Sequence, residues 1–295
     1  MIRPNFLIVG AAKSGTTSLY HYLRQHPDIF MPEWKELSLF IGDPFGPLHK
    51  VKKPYYYYKV FSKAQNQTAV GEASTSYLFD EASPKIIKEK LGPTKIIISL
   101  RNPVAMSYSL YNHQVRREGE TAENFEEALN KEEDRHKDPE FRKKCYGWHA
   151  NYYYYQRGLY YKQVKRYLDT FGKENVLIII FEELTAKPLS VVKNTYRFLG
   201  VDDTFVPAIK IHNPTGGILN FPKFWQDTGL LLKTTSFVFS KNLIKKMPHL
   251  LRNIGRTLPP AINPATARML QDRFQDDIGK LEQLIGKDLS VWKCS

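Results

Sequence analysis

Short apolar runs alternate along this chain with segments whose apolar residues recur at helical spacing. Runs typical of buried strands occupy residues 5–10, 68–71, 95–100 and 175–180. Helical spacing is found at residues 16–24, 103–117, 159–171, 188–199 and 264–285. Continuous apolar strands separated by helices are typical of a parallel sheet that is covered on both faces. The pattern predicts an α/β fold with a mostly parallel central sheet and helices on both faces.

The same pattern indicates a single domain that spans residues 1–295. No internal repeat or low-complexity linker divides the chain, and its length fits one large domain or two modest ones at roughly 100–200 residues each. Residues 221–252 differ from the rest because they are rich in lysine and apolar residues but lack strand alternation. We interpret them as a helical basic excursion, which is either a solvated face or a surface for an anionic or amphiphilic acceptor.

A small polar loop joins the first predicted strand to the first helix. The residues expected to bind an anion there are Lys13, Ser14, Gly15, Thr16, Thr17 and Ser18. Backbone N–H groups in such a turn, with the positive end of the helix, form a cradle for phosphate. The spacing from Gly10 to Gly15 matches the triphosphate loop G-x-x-x-x-G-K-[ST], but threonine replaces the lysine after the second glycine. The sequence predicts a P-loop-like phosphate site that is not built for Mg-ATP.

A second candidate phosphate contact follows the third predicted strand. Arg101 comes directly after that strand, and Ser109 lies two helical turns into the next helix. Ligands of open α/β sheets bind at the carboxyl ends of the strands, and arginine offers two parallel donors to a phosphate. Arg101 and Ser109 can therefore converge on one phosphate group. The alternative is that Arg101 pairs with Glu72, at the end of the neighbouring strand.

The excess of basic residues favours anionic partners. Lysine and arginine number 43 against 30 aspartates and glutamates, so the net charge is +13. Nucleotides, acidic glycans, acidic lipids and nucleic acid all fit that charge. Because the sequence contains no recognised nucleic-acid motif and its basic residues are spread along the chain, we expect no nucleic acid partner.

Sparse cysteines and short apolar runs bear on where the protein acts. Cys145 and Cys294 are too few for a disulfide framework or a cysteine-based zinc site. No run approaches the ~18 apolar residues of a membrane-spanning helix, and the early first strand leaves no room for a signal peptide. We therefore expect a cytoplasmic protein without a transmembrane segment.

The two phosphate segments together resemble those of sulfotransferases that use 3′-phosphoadenosine 5′-phosphosulfate (PAPS). They are Lys13-Ser14-Gly15-Thr16-Thr17 and Leu100-Arg101-Asn102-Pro103 with Ser109. Three further segments are similar to those of heparan sulfate and other carbohydrate sulfotransferases and their bacterial relatives: HPDI at 26–29, KELSLF at 35–40 and GEASTSY at 71–77. The resemblance covers almost the whole chain except residues 221–252.

This resemblance implies a set of contacts with PAPS. The loop from Lys13 to Ser18 would surround the 5′-phosphosulfate, while Arg101 and Ser109 would bind the 3′-phosphate. Tyr160 would lie near the adenine side. Arg256, in a late basic segment, would also reach the 3′-phosphate. No metal is required, since Lys13 and the helix end supply positive charge.

Sulfuryl transfer by in-line attack needs a base for the acceptor and a cation for the leaving phosphate. By resemblance Glu36 holds the position of the base, and Lys13 is placed to neutralise the leaving phosphate. The rival candidates for the base are His21, His26, His49 and Glu72. The candidate contacts with the acceptor are Lys35, Glu72 and His113.

The sequence as a whole predicts a PAPS-dependent sulfotransferase acting on a hydroxyl or amine. A carbohydrate is the expected acceptor, since the segment around Glu36 resembles that of carbohydrate enzymes and the chain is basic. Sulfation of a lipid or a small-molecule alcohol by the same mechanism is the alternative, and a nucleotide kinase is the competing class of enzyme. Two tyrosine quartets, at 55–58 and 152–155, are either core aromatics or the lining of an acceptor cleft.

Overall fold

A parallel sheet forms the centre of the protein. The computed structural model describes residues 2–42, 54–209 and 259–293, together with the backbone of two short strands at 218–219 and 256–257. The strands of the central sheet are Phe6–Gly10 (β1), Ile29–Phe30 (β2), Ala69–Ala73 (β3), Lys95–Leu100 (β4) and Val176–Ile180 (β5). They lie in the order β2-β3-β1-β4-β5, and every neighbouring pair is parallel.

Helices connect these strands and cover the sheet. They are Thr16–Leu23 (α1), Pro54–Lys59 (α2), Ser83–Leu91 (α3), Pro103–Arg116 (α4), Phe125–Asn130 (α5), Glu132–Lys137 (α6), Pro139–Lys144 (α7), Tyr160–Phe171 (α8), Phe181–Ala186 (α9), Pro188–Leu199 (α10) and Pro264–Ile285 (α11). The α4 helix begins where the Asn102 side chain accepts the N–H groups of Val104 and Ala105, a common N-cap. The α10 helix ends at Gly200, whose left-handed backbone suits glycine.

Successive side chains of β1 enter two different hydrophobic cores. Leu7 and Val9 pack on the side of α3, α4, α8 and α11, whereas Phe6 and Ile8 pack on the side of α1 and α10. All of these side chains are fully buried. Burial on both faces explains why the strand is an unbroken apolar run rather than an alternating one.

The structure confirms the predicted fold class, and each of the nine predicted strands and helices corresponds to an observed element. The strand β2 was not predicted, because two residues are too short to show a pattern. The predicted helical basic excursion at 221–252 lies outside the described residues. The single-domain organisation of residues 1–295 stays a prediction.

Close packing between β1 and β3 predicts an asymmetry between two glycines. Gly71 lies opposite Phe6, and a Cβ at Gly71 would come within 2.4 Å of the Phe6 ring. Gly71→Ala should therefore cost about 1–3 kcal/mol by overpacking. Gly279, in α11, has nothing within 4 Å of such a Cβ, so Gly279→Ala should add about 0.5–1 kcal/mol. Urea denaturation of both variants checks the difference, which equal changes in stability would contradict.

Candidate active site

The loop between β1 and α1 lies at the carboxyl edge of the sheet and has an unusual backbone. The φ angles of Lys13 and Gly15 are 62° and 77°. A side chain at Gly15 would also come within 2.7 Å of the Phe181 ring, so glycine is required there for both conformation and space. No side chain caps α1 at Gly15. The first N–H groups of the helix therefore remain for an anion.

The end of β4 holds this loop through three hydrogen bonds. The Ala11 N–H donates to the Ser99 carbonyl over 2.6 Å, and the Ser99 hydroxyl donates to the Ser14 carbonyl over 2.6 Å. The Arg101 guanidinium donates to the Lys13 carbonyl over 3.2 Å. The structure thus brings together the two segments that the sequence singled out separately.

Positive charges converge on Lys13. Burial, together with the nearby charges of Arg116, Arg101 and Lys35, lowers the pKa of Lys13 to about 8. Like charges held together in a partly buried site repel one another, and an anion bound among them relieves that repulsion. The arrangement is therefore a site for an anion.

Arg101 is held at the end of β4 by Phe181 and Glu182, not by the alternative ion pair with Glu72. Its guanidinium lies over the Phe181 ring at 4.7 Å from the centroid. Burial lowers its pKa, and the charge of Glu182 opposes this. Glu182 itself accepts the Asn102 N–H at 3.1 Å and the Trp292 indole N–H at 3.0 Å. Glu182, rather than Glu72, is therefore the acidic residue that acts on Arg101.

The other predicted nucleotide contacts lie around Arg101. Ser109 is half-buried on α4. Tyr160 begins α8 and is fully buried, and within the described residues its hydroxyl has no hydrogen-bond partner. Arg256 lies in the strand Arg256–Thr257 (β7), which pairs with Ile218–Leu219 (β6) beside α4. The side chain of Arg256 lies outside the described part of the protein.

Lys35 connects the phosphate loop to the segment that carries Glu36. Its ammonium group donates to the Thr17 hydroxyl over 2.9 Å and lies over the Tyr20 ring. Burial lowers the pKa of Lys35, while the charges of Glu36 and Glu72 oppose this. Lys35 is therefore placed between the anion loop and two acids.

Glu36 presents an exposed carboxylate in a defined position. Its oxygens accept the Thr75 N–H at 2.9 Å and the Thr75 hydroxyl at 3.1 Å. Its own N–H donates to the Ala73 carbonyl over 2.9 Å. Because each oxygen accepts one hydrogen bond and has lone pairs to spare, the carboxylate can still receive a proton from an acceptor.

The backbone around Glu36 is strained. Glu36 and Ser38 have φ angles of 60° and 52°, and such left-handed residues other than glycine cost about 1–3 kcal/mol each. The Ser38 N–H donates to the Ser74 hydroxyl over 3.0 Å, and the hydroxyls of Ser38 and Ser76 are 3.1 Å apart. Residues just beyond β3 thus hold this segment in place.

Glu72 is buried below the end of β3, and its role as an acceptor contact or rival base stays a prediction. Its side chain is fully buried and accepts hydroxyls from Ser74 at 2.6 Å, Tyr77 at 2.8 Å and Tyr57 at 3.3 Å. Burial raises its pKa to about 7, although the hydrogen bonds from Ser74 and Tyr77 oppose this. Glu72 anchors the segment after β3 through these hydroxyls.

His113 faces the same cations as Lys13. Burial and the charges of Lys13, Arg117 and Arg116 lower its pKa to about 3, so the imidazole of the ligand-free protein is neutral at pH 7. It is half-buried on α4. The structure therefore places a neutral hydrogen-bonding ring at the edge of the anion site.

The remaining rival bases lie elsewhere. His26 is buried, with one ring nitrogen accepting the Asp28 N–H and the other 2.8 Å from the Asp202 carbonyl. His21 packs edge-on against Tyr20 on α1. His49 lies outside the described residues. Among these candidates, Glu36 is the one that follows directly after Lys35, which donates to the Thr17 hydroxyl of the phosphate loop.

The tyrosine quartets divide between core and surface. Tyr57 and the three tyrosines at 152–154 are buried, whereas Tyr55 and Tyr56 are exposed. Tyr58 and Tyr155 are partly buried against the core, so the core interpretation holds for six of the eight tyrosines.

Sequence reasoning missed three residues of this edge. Thr75 orients Glu36, Arg157 donates to the Thr75 carbonyl at 3.3 Å, and Glu182 braces Asn102. Glu182 lies just after β5 and Thr75 just after β3, in the same relation to the sheet as Arg101 to β4. The rule that ligand sites lie at the carboxyl ends of parallel strands was a signal for both.

Within residues 2–42, 54–209 and 259–293, no group of three or more His, Cys, Asp or Glu side chains could hold a metal ion. In the same part of the chain, no helix has both the length and the apolar character needed to span a membrane.

Comparison with known proteins identifies the family. The family model of the sulfotransferase domain matches residues 3–212, a stretch that contains the anion loop, Glu36 and Arg101. The chain belongs to the sulfotransferase family. The five-stranded sheet with its phosphate loop is the fold expected from that membership.

Individual relatives agree with this assignment. The chain is 30% identical over 210 residues to the bifunctional heparan sulfate N-deacetylase/N-sulfotransferase 4 of Mus musculus, an alignment that covers 67% of this chain and 22% of the relative. The chain thus spans about a fifth of the length of this curated relative. The crystal structure of a sulfotransferase from Alicyclobacillus acidocaldarius is 34% identical, with a TM-score of 0.76 and coverage of 99% and 100% of the two chains.

A more distant structure shares the fold alone. The sulfotransferase domain of the Synechococcus PCC 7002 olefin synthase is 17% identical, with a TM-score of 0.50 over 97% of this chain and 96% of that one.

The crowded charges around Lys13 predict proton uptake on anion binding. Adenosine 3′,5′-bisphosphate bound beside Lys13 should raise the pKa of that ammonium group from about 8. Binding at pH 8.5 should then take up a fraction of a proton, and affinity should fall as the pH rises above 8. Calorimetry in buffers of different ionisation enthalpy measures this uptake.

Two variants assign the proton uptake, one at Lys13 and one at a control position. Lys13→Met should abolish the uptake, whereas Lys59→Met, at an exposed position on α2, should leave it unchanged. Uptake that persists in Lys13→Met would assign the titration to another group.

Proposed function

We propose that the protein transfers a sulfuryl group from PAPS to an acceptor hydroxyl or amine. Family membership supports this, and one observation carries it: the hydrogen bond from Lys35 to Thr17 ties the segment that contains Glu36 to the cationic loop. An anion site with an adjacent base is what such a transfer requires. A kinase fits less well, because Thr16 stands where a triphosphate loop has lysine.

The residues at the carboxyl edge fit such a nucleotide. Lys13 and the N–H groups at the start of α1 would hold the 5′-phosphosulfate, and Arg101 with Ser109 would hold the 3′-phosphate. The buried Tyr160 hydroxyl, without a partner among the described residues, would supply a further polar contact. Arg256 belongs to the same proposed set because its strand β7 pairs with β6, which lies beside α4. When bound, the nucleotide supplies the activated sulfuryl group.

The catalytic roles follow from charge and position. Lys13 neutralises the negative charge that develops on the leaving phosphate. The hydroxyls of Thr16 and Thr17 and the loop N–H groups donate to the sulfuryl oxygens. Glu36 accepts the proton of the acceptor as its oxygen or nitrogen attacks sulfur, a contribution of about 10²–10⁴-fold.

A carbohydrate acceptor is the favoured choice within this proposal. The relatives that act on heparan sulfate support it at about 30% identity. Lys35 and His113 would contact the acceptor, and the neighbouring Trp34, whose side chain is 69% exposed, offers a flat surface of the kind on which sugar rings stack. A lipid or small-molecule alcohol is the alternative acceptor. The cytoplasmic location and the single domain over residues 1–295 rest on the sequence alone.

Removal of the proposed base should separate turnover from nucleotide binding. Glu36→Gln keeps the shape of the side chain and one acceptor oxygen for Thr75 but greatly weakens proton acceptance, so turnover should fall by about 10²-fold or more while binding of adenosine 3′,5′-bisphosphate stays intact. Glu33→Gln, an exposed acid three residues away, is the matched control. Labelled PAPS with de-N-sulfated heparin and a panel of alcohols measures transfer. Unchanged turnover in Glu36→Gln would remove Glu36 from this role.

A thermal-shift comparison tests the choice of nucleotide. Adenosine 3′,5′-bisphosphate at 100 times its Kd should stabilise the protein by about 2.7 kcal/mol, and adenosine 5′-phosphate or Mg-ATP should do so less. Arg101→Ala should reduce the shift with the bisphosphate much more than the shift with adenosine 5′-phosphate. Arg197→Ala, on the surface of α10, should change neither. Equal shifts for all three nucleotides in the wild type would contradict the proposed function.

A further inference from the structure

Arg157 is a buried cation that no carboxylate of the described residues contacts directly. It lies in the 3-10 turn Gln156–Gly158, with its guanidinium 5.2 Å from the Trp148 ring centroid and 5.6 Å from that of Phe79. Burial lowers the pKa of Arg157 to about 10, and the charge of Glu36 opposes this. A buried charge is costly unless it is paired. The groups that stabilise the Arg157 charge are two neutral hydrogen-bond acceptors and the nearby carboxylate of Glu36.

Hydrogen bonds lead from Arg157 to Glu36 through one residue. The guanidinium donates to the Thr75 carbonyl over 3.3 Å and to the Asn151 side-chain oxygen over 3.1 Å. The N–H and hydroxyl of Thr75 donate to the two oxygens of Glu36. Thr75 is therefore held at its carbonyl by Arg157 and holds Glu36 with its two remaining polar groups.

The side chain of Glu36 needs support of its own, in addition to the hydrogen bonds that hold its backbone. Its side chain is exposed, and its backbone is in the left-handed region. An exposed glutamate loses side-chain entropy when it is confined to one position, and a misplacement of 1 Å in a catalytic group can cost about 10²-fold in rate. The N–H and hydroxyl of Thr75 can confine the Glu36 carboxylate in this way, because Arg157 holds the Thr75 carbonyl.

We propose that Arg157 and Thr75 are positioning residues that hold the Glu36 carboxylate toward the acceptor. The inference rests on the proposed function, in which Glu36 is the base. In this proposal both residues act through Glu36. Their loss should therefore lower kcat while the KM for PAPS changes little.

The threonine arm of the test uses closely matched variants. Thr75→Val removes the hydroxyl donor and keeps the shape, so kcat should fall by about tenfold, as expected for one hydrogen bond to a charged group. Thr75→Ser restores the donor and should restore kcat to near the wild-type value. Thr170→Val is the control, because the half-buried Thr170 hydroxyl donates only within α8, to the Arg166 carbonyl.

The arginine arm uses a second matched pair. Arg157→Met should lower kcat by about 10²-fold, and Arg157→Lys should recover part of the loss. Arg166→Met is the control, because Arg166 also donates to a backbone carbonyl, that of Phe79 at 3.1 Å, but has no contact with Glu36. All variants are assayed with labelled PAPS and de-N-sulfated heparin, with kcat and the KM for PAPS measured separately.

Amide hydrogen exchange of the ligand-free protein provides a readout that needs no acceptor. Arg157→Met should accelerate exchange at Glu36 and Thr75 by about tenfold, and Arg166→Met should not. Unchanged kcat in both Thr75→Val and Arg157→Met overturns the proposal, as do equal losses in the two control variants. If the wild type transfers no sulfate to these acceptors, amide hydrogen exchange is the remaining test. Unchanged exchange at Glu36 and Thr75 in Arg157→Met then overturns the positioning proposal. Failure of adenosine 3′,5′-bisphosphate to bind would instead contradict the proposed function.

Discussion

Repulsion among like charges is the constraint on which this structure depends. Burial lowers the pKa of Lys13, and the nearby charges of Arg116, Arg101 and Lys35 lower it further. The protein tolerates this because β4 fixes the loop backbone and because Glu182 and Phe181 support Arg101. The free energy stored in the free site is released when an anion enters it, so the same repulsion that burdens the empty protein favours binding.

The second half of the site depends on the end of β3. Ala73, Ser74 and Thr75 each bond the segment that carries Glu36, while the buried Glu72 anchors Ser74. A segment with two left-handed residues would relax without these bonds. The anion loop and the proposed base are thus built from the ends of neighbouring strands and are joined by Lys35 and Thr17.

The sequence was most informative where a local pattern determines structure. The apolar runs predicted the strands and helices because burial on both faces leaves a strong signal, and the loop glycines predicted the anion site because few other residues fit there. The burial of Glu72 was not predicted, because its strand-end position does not show that three hydroxyls surround it. The link from Arg157 to Thr75 spans 82 residues, and single-sequence spacing carries no information about such a contact.

The corner around Glu182 has a consequence for how the chain matures during synthesis. The Asn102 side chain donates to the Trp292 carbonyl across 190 residues, and the Trp292 indole donates to Glu182. Asn102 is both the neighbour of Arg101 and the cap of α4. A nascent chain can form the sheet and the anion loop early, but this corner closes only after Trp292 has left the ribosome. Contacts of such long range form slowly. The turn Ser290–Trp292 therefore completes, late in folding, the carboxyl edge of the sheet where the loop after β1 binds its anion.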